Sequence, residues 1–263
     1  MQDKKELQLR NKVTQGILKN LRNKKWRCLY DQCPDDCINS HILQRHGILD
    51  NVTVNNHLIE LKPKDPFRRQ HGSLFEFKTK GLNESFSFDL LCSSHDTNIF
   101  KPKETALLDC TNYQHQVLLL YRAVCAEIRK KEMANEFSRR WLQSNSISLD
   151  SSEEIIYQEQ IVGHNKGIAF LDVYKQLIEK EITNPTGDFV FFHSVYPQNL
   201  QVFSSSIFEY DPLFGTSAGQ RKLASHIPWN AGFANILPFT NETHFLFGYH
   251  KSYTNPYLHQ LCS

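Results

Sequence analysis

Cys28-Leu-Tyr-Asp-Gln-Cys33, Asn39-Ser40-His41-Ile42-Leu43 and Leu90-Leu91-Cys92-Ser93-Ser94-His95-Asp96 are the three pieces of this chain that decide how it is read. Zinc takes four tetrahedral N or S ligands, and two ligand pairs separated by a hairpin are a common way to supply them. Cys28/Cys33 and Cys92/His95 fit that pattern and are expected to hold a structural zinc ion. Three other assignments use the same residues. Cys33 and Cys37 could form the first pair with Cys28 buried, His41 could join Cys37 as a ligand, or the thiols could simply be small core side chains.

Bulk composition narrows the class. The chain has 263 residues, 40% of them hydrophobic and 22% charged, the profile of a globular chain able to bury a full core. Eighteen Phe and ten Tyr favour aromatic-rich strands. A net charge of +2 is too mild to signal nucleic-acid binding, but Lys4, Lys5, Arg10, Lys12, Lys19, Arg22, Lys24, Lys25 and Arg27 make the first segment basic. Such a cluster attracts phosphate or an acidic partner, and it serves equally as a solvated helix face. There is no apolar run long enough for a membrane span, and the Lys-rich start lacks the apolar stretch of a secretory signal. The expected location is therefore cytoplasmic, where seven cysteines read as metal ligands or buried thiols before disulfides.

Along the chain, Leu7, Leu9, Val13, Ile17, Leu18 and Leu21 keep helical spacing over residues 2–24. Val52, Val54, Leu58 and Leu61 alternate as a strand or hairpin, followed by a Pro- and Lys-rich loop over 62–72. Leu74–Phe77 and Phe86–Phe88 read as two more strands. The longest helix is expected from Glu104 to about Gln143, with Thr111–Tyr113 a potential break. A further helix starts at Ser151-Ser-Glu-Glu154 and stops at Asn184-Pro185-Thr-Gly187. From Asp188 onward, short aromatic strands (Phe189–Phe192, Val202–Phe203, Ile207–Phe208, Ile236–Leu237, His244–Phe247) indicate a β-rich portion. Its His193, Glu209, Asp211, His226, His244 and His250 read as satisfied core or surface groups. The expected class is α+β, divided into a basic amphipathic helix (1–25), a zinc module (26–103), a helical region (104–183) and a β-rich C-terminal domain (184–263).

Over residues 26–100 the order of ligand pair, Ser40-His41-Ile42, hairpin and Leu90-Leu91-Cys92-Ser93-Ser94-His95-Asp96 resembles the HNH, or ββα-metal, nucleases and their treble-clef zinc fold. The resemblance implies that His41 deprotonates water for attack on a phosphodiester while a Mg2+ or Mn2+ ion neutralises the phosphate and the leaving oxygen. It covers less than half the chain, and two positions depart from it. The Asn that orients the histidine falls near Ser87 or Asp89, and the last catalytic His is replaced by Asp96, itself a suitable hard ligand.

Two functions follow from that resemblance. One is a metal-dependent nuclease acting on DNA or RNA, of a size that suits defence against phage or plasmids, with His41 and Asp96 catalytic. The other is a catalytically degenerate, zinc-bearing module that binds nucleic acid or protein. Nucleic acid is the expected partner of either, with a protein partner or a second copy as an alternative. No membrane is expected.

Overall fold

The computed structural model describes residues 2–63, 75–104, 108–209 and 230–253. Most of the expected 62–72 loop, together with Asp211 and His226, lies outside them. Within them the chain is α+β. The first element, α1 (Gln2–Arg22), is the expected amphipathic helix. Its Ile17 and Leu21 pack with Trp26 and Trp141, so its apolar stripe faces the body of the fold. Arg10 fixes it further by donating to both carboxylate oxygens of Glu153, at 2.5 and 3.1 Å. Lys4, Lys5, Lys12, Lys19 and Arg22 remain exposed.

Strand β1 (Asn39–His41) comes next, then β2 (His57–Pro63), β3 (Phe75–Gly81) and β4 (Ser87–Asp89). β1 and β4 pair antiparallel with His41 opposite Ser87, while β2 and β3 form their own antiparallel hairpin between them. The strand expected from Val52 begins only at His57. Leu49–Val52 is a 3-10 turn, and Asn55 and Asn56 both take left-handed backbone conformations, φ 52° and 58°. Asn tolerates that region better than most residues, and two in succession reverse the chain.

Three helices follow: α2 (Ser93–Glu104), α3 (Tyr113–Leu142) and α4 (Ser151–Thr183). The single helix expected over 104–143 is therefore interrupted, and at 33 residues α4 exceeds the 30 of α3. The cause is local side-chain competition with the helix. The Asp109 carboxylate accepts from the Thr111 backbone N–H and hydroxyl, and Asn112 then caps α3 by accepting from the His115 N–H. At α4 the cap is Asp150, one residue before the expected start, in a reciprocal capping box with Glu153.

The C-terminal portion is one antiparallel sheet of β5 (Phe189–Tyr196), β6 (Ser204–Glu209), β7 (Ala231–Pro238) and β8 (Thr243–His250), in the order β5-β8-β7-β6. Val202 and Phe203 precede β6 and are not part of it. One cluster of buried residues joins Cys28, Ile42, Cys92 and Phe100 to α3, to Tyr174 and Ile178 of α4, and to Phe189 and Phe233 of the sheet. The segment that carries Cys28, Ile42 and Cys92, the helices and the sheet thus share a core. α3 lies at its centre, with nearly every residue from His115 to Arg129 buried, as expected of a helix packed on all sides.

Candidate metal centre

The loop after Trp26 reverses at Gln32, whose φ of 56° folds Cys33 back toward Cys28. Backbone hydrogen bonds from Leu29 N to the Leu90 carbonyl (3.0 Å) and from Ile38 N to the Leu91 carbonyl (2.9 Å) stitch this loop to the segment leading into α2. Cys92 enters α2, and His95 follows in its first turn. Cys28, Cys33, Cys92 and His95 consequently converge, with one potential ligand atom from each lying within 4.8 Å of the others.

The edges of this group fit a tetrahedral centre. Cys33 Sγ lies 3.9 Å from Cys92 Sγ, and His95 Nδ1 lies 3.5 Å from Cys28 Sγ and 3.2 Å from Cys92 Sγ. Ideal Zn–S and Zn–N bond lengths imply edges of about 3.8 Å between sulfurs and about 3.5 Å from sulfur to nitrogen. Tyr30 stacks on the His95 ring at 4.1 Å, and the Cys92 N–H points at Cys28 Sγ from 3.3 Å. Burial, the largest influence, pushes the Cys28 thiol up to about 12. This group of thiols and an imidazole can hold a metal ion.

Cys37 lies outside the cluster. Its sulfur accepts from Arg129 Nη2 at 3.4 Å, and it packs beside Trp26 and Trp141. Burial pushes its thiol up to about 11 although the nearby Arg129 charge opposes this. His41 is not a member either. Its Nε2 lies 3.0 Å from the Leu82 carbonyl. A carbonyl only accepts, so Nε2 carries the proton, and in the neutral ring Nδ1 keeps its lone pair. The orienting partner is thus a backbone carbonyl, supplied by the 3-10 turn at Leu82–Glu84, rather than a side chain from Ser87 or Asp89.

Asp96 sits in the first turn of α2 and meets a residue the sequence did not single out. Arg122 of α3, 4% exposed, places Nη2 3.5 Å from Asp96 Oδ1 and donates from Nη1 to the His41 carbonyl oxygen at 3.1 Å. Its guanidinium lies 3.8 Å from the Phe100 ring centroid. His41 and Asp96 are therefore tied to one guanidinium, His41 through its backbone and Asp96 through its carboxylate. Among the described residues, neither belongs to a cluster of three or more His, Cys, Asp or Glu able to hold a metal.

Beside β4 runs an open groove of about 1190 Å3, lined by Asn39, Ser87 and Asp89 of the β1/β4 pair and by residues of the β2–β3 hairpin. Arg22, Lys80 and Lys130 border it together with Glu60 and Glu84, so its charge is mixed. Among the described residues no helix is long and apolar enough to cross a membrane. The chain matches no protein-family model, no curated protein and no solved structure.

Proposed function

We propose that this chain is a zinc-stabilised, ββα-metal-like nuclease that hydrolyses phosphodiester bonds in nucleic acid. Zinc at Cys28, Cys33, Cys92 and His95 would fasten the Cys28–Cys33 loop to α2, giving a treble-clef frame in which β1, β4 and α2 are the ββα unit. The observation that carries the proposal is His41. It ends β1, its ring is held by the Leu82 carbonyl at 3.0 Å, and its Nδ1 is left as the basic nitrogen. In the proposed step Nδ1 takes a proton from water as the water oxygen bonds to phosphorus. The phosphorus–oxygen bond to the departing nucleotide then breaks; a Mg2+ or Mn2+ ion, for which Asp96 is the candidate ligand, would supply neutralisation of the departing oxygen. The exposed cations of α1 would supply phosphate attraction, and defence against phage or plasmids remains the role that suits such a nuclease.

Arg122 supports a second reading. A guanidinium held against Asp96 opposes a divalent ion there, since even in a screened protein environment like charges about 4 Å apart repel by about 4 kcal/mol per unit charge pair. In that reading the zinc frame persists as a binding module without turnover, and Arg122 takes the place of the cation. The test is cleavage of single- and double-stranded DNA and RNA with Mn2+, with EDTA, and by His41→Ala protein shown by circular dichroism and zinc content to be folded. The nuclease predicts Mn2+-dependent cleavage lost at least a hundredfold in His41→Ala. Undiminished cleavage by that variant, or no cleavage by the wild type, would end the nuclease proposal and leave the binding module.

A further inference from the structure

A second group of metal-binding side chains lies outside the ββα unit. Cys110, His193 and His244 each offer a ligand atom within 4.8 Å of the others. The two histidines come from adjacent strands: His193 of β5 is opposite Leu246 and His244 of β8 is opposite Val195. They are diagonal neighbours on the same face, a relation that lets long side chains meet. Their Nε2 (His193) and Nδ1 (His244) stand 2.9 Å apart. Cys110 reaches them from the loop before α3 and is 2% exposed. That loop is pinned on both sides of the cysteine, by Gln116 Nε2 donating to the Cys110 carbonyl at 2.6 Å and by the Asp109 N–H donating to His115 Nδ1 at 3.1 Å.

The outer contacts set His244 for metal ligation. Glu242 Oε1 lies 2.8 Å from His244 Nε2. A carboxylate accepts, so Nε2 carries the proton and Nδ1 directs its lone pair inward. A carboxylate behind a ligating imidazole is the usual support of a metal-bound histidine, fixing its tautomer and raising its basicity. Phe239 lies against the same ring at 4.4 Å and limits its rotation.

We infer that Cys110, His193 and His244 form a second zinc site, with one thiolate and two imidazoles as protein ligands and a fourth position left open to water or a small anion. One sulfur and two imidazole nitrogens suit zinc, and three protein ligands with an open position is the form of a reactive zinc site rather than a closed structural one. Two imidazoles on a tetrahedral zinc stand about 3.3 Å apart at normal bond lengths, so the rings would separate by only a few tenths of an ångström. A metal here would fasten the β5–β8 edge of the sheet to the start of α3. This inference does not depend on the nuclease proposal.

The experiment is zinc content by mass spectrometry after dialysis of full-length protein against a weak chelator, with a Co2+-substituted sample for absorption spectra. The wild type is expected to hold two equivalents and folded His193→Asn protein one. The Co2+ spectrum lost in the variant should carry the weak charge-transfer band of a single thiolate. Cys110→Ala must give the same one-equivalent result and replaces His193→Asn if that variant does not fold. Folded variants that retain as many equivalents as the wild type, whether one or two, would overturn the site. His193 and His244 would then be a hydrogen-bonded pair ending on Glu242.

Discussion

Replacing Arg129 tests how the metal centre is held to the rest of the fold. This side chain is 1% exposed and joins four groups from three segments. Nε donates to the Asp89 carbonyl at 2.7 Å, Nη2 to the Arg27 carbonyl at 2.6 Å and to Cys37 Sγ at 3.4 Å, and Nη1 to Glu132 Oε2 at 2.6 Å. Its guanidinium also lies 4.8 Å from the Trp26 ring centroid. It therefore links α3 both to the strand before Cys92 and to the residue before Cys28. Arg129→Met keeps most of the packing but leaves two carbonyls and a carboxylate without their donor. Charge-assisted bonds contribute about 1.5–3 kcal/mol each, but they share one side chain and are not additive. The expected loss is about 3–5 kcal/mol, the usual cost of removing one partner from a buried charged network. With a urea slope of about 3 kcal/mol per molar, the unfolding midpoint should fall by roughly 1–1.5 M. Zinc should also be surrendered to a chelator faster, because both ligand segments lose an anchor. A midpoint shift under about 0.3 M with unchanged zinc release would refute the role given to Arg129.

Other substitutions probe separate parts of the account. Gly248 faces Phe191 so closely that a Cβ would stand 2.5 Å from its Cδ1 and 3.0 Å from the Val190 carbonyl oxygen. Gly248→Ala should cost about 1–3 kcal/mol through overpacking, readable in the thermal midpoint, and a neutral result would contradict this packing. Burial pushes the Glu181 carboxyl up, but bonds from Thr186, Tyr113 and Gly187 outweigh it and hold the group below the usual carboxylate range. A depressed folded value adds stability that is present above the unfolded pKa of about 4.3 and is lost as pH falls through the folded value. Stability measured from pH 7 down to pH 3 should therefore fall less steeply in Glu181→Gln than in the wild type. Equal slopes would remove Glu181 from that role. Cys37→Ser should leave zinc content unchanged, since Cys37 is bonded to Arg129 and lies outside the cluster. Loss of an equivalent would restore Cys37 as a ligand.

Local signals were legible in the sequence to the extent that they acted locally. The start of α4 was legible to within one residue, read at Ser151–Glu154 where the Asp150–Glu153 box caps it, and Asn184 ends it. The Cys28/Cys33 and Cys92/His95 pairs are close in sequence and meet as the spacing suggested. Features that depend on tertiary register were not legible. Cys110, His193 and His244 share no local spacing, and the two histidines meet only because β5 and β8 pair in one particular register. Arg122 and Arg129 look like polar-face residues of α3. They are seven residues apart, about two helical turns, so both point toward the β1/β4 pair, where each finds a backbone carbonyl. The break before α3 was visible as a weakness at Thr111–Tyr113, but the Asp109–Asn112 capping turn that makes it could be read only from the structure.

Zinc bound by three thiolates and one imidazole is central, because that ion would hold the Cys28–Cys33 loop to α2 and set His41 in its place. The most direct measurement is zinc X-ray absorption on the His193→Asn protein, in which the proposed second site would have lost a ligand. The account predicts one equivalent with three sulfurs at about 2.3 Å and one nitrogen at about 2.0 Å. No bound zinc, or a shell of two sulfurs and two nitrogens, would contradict it.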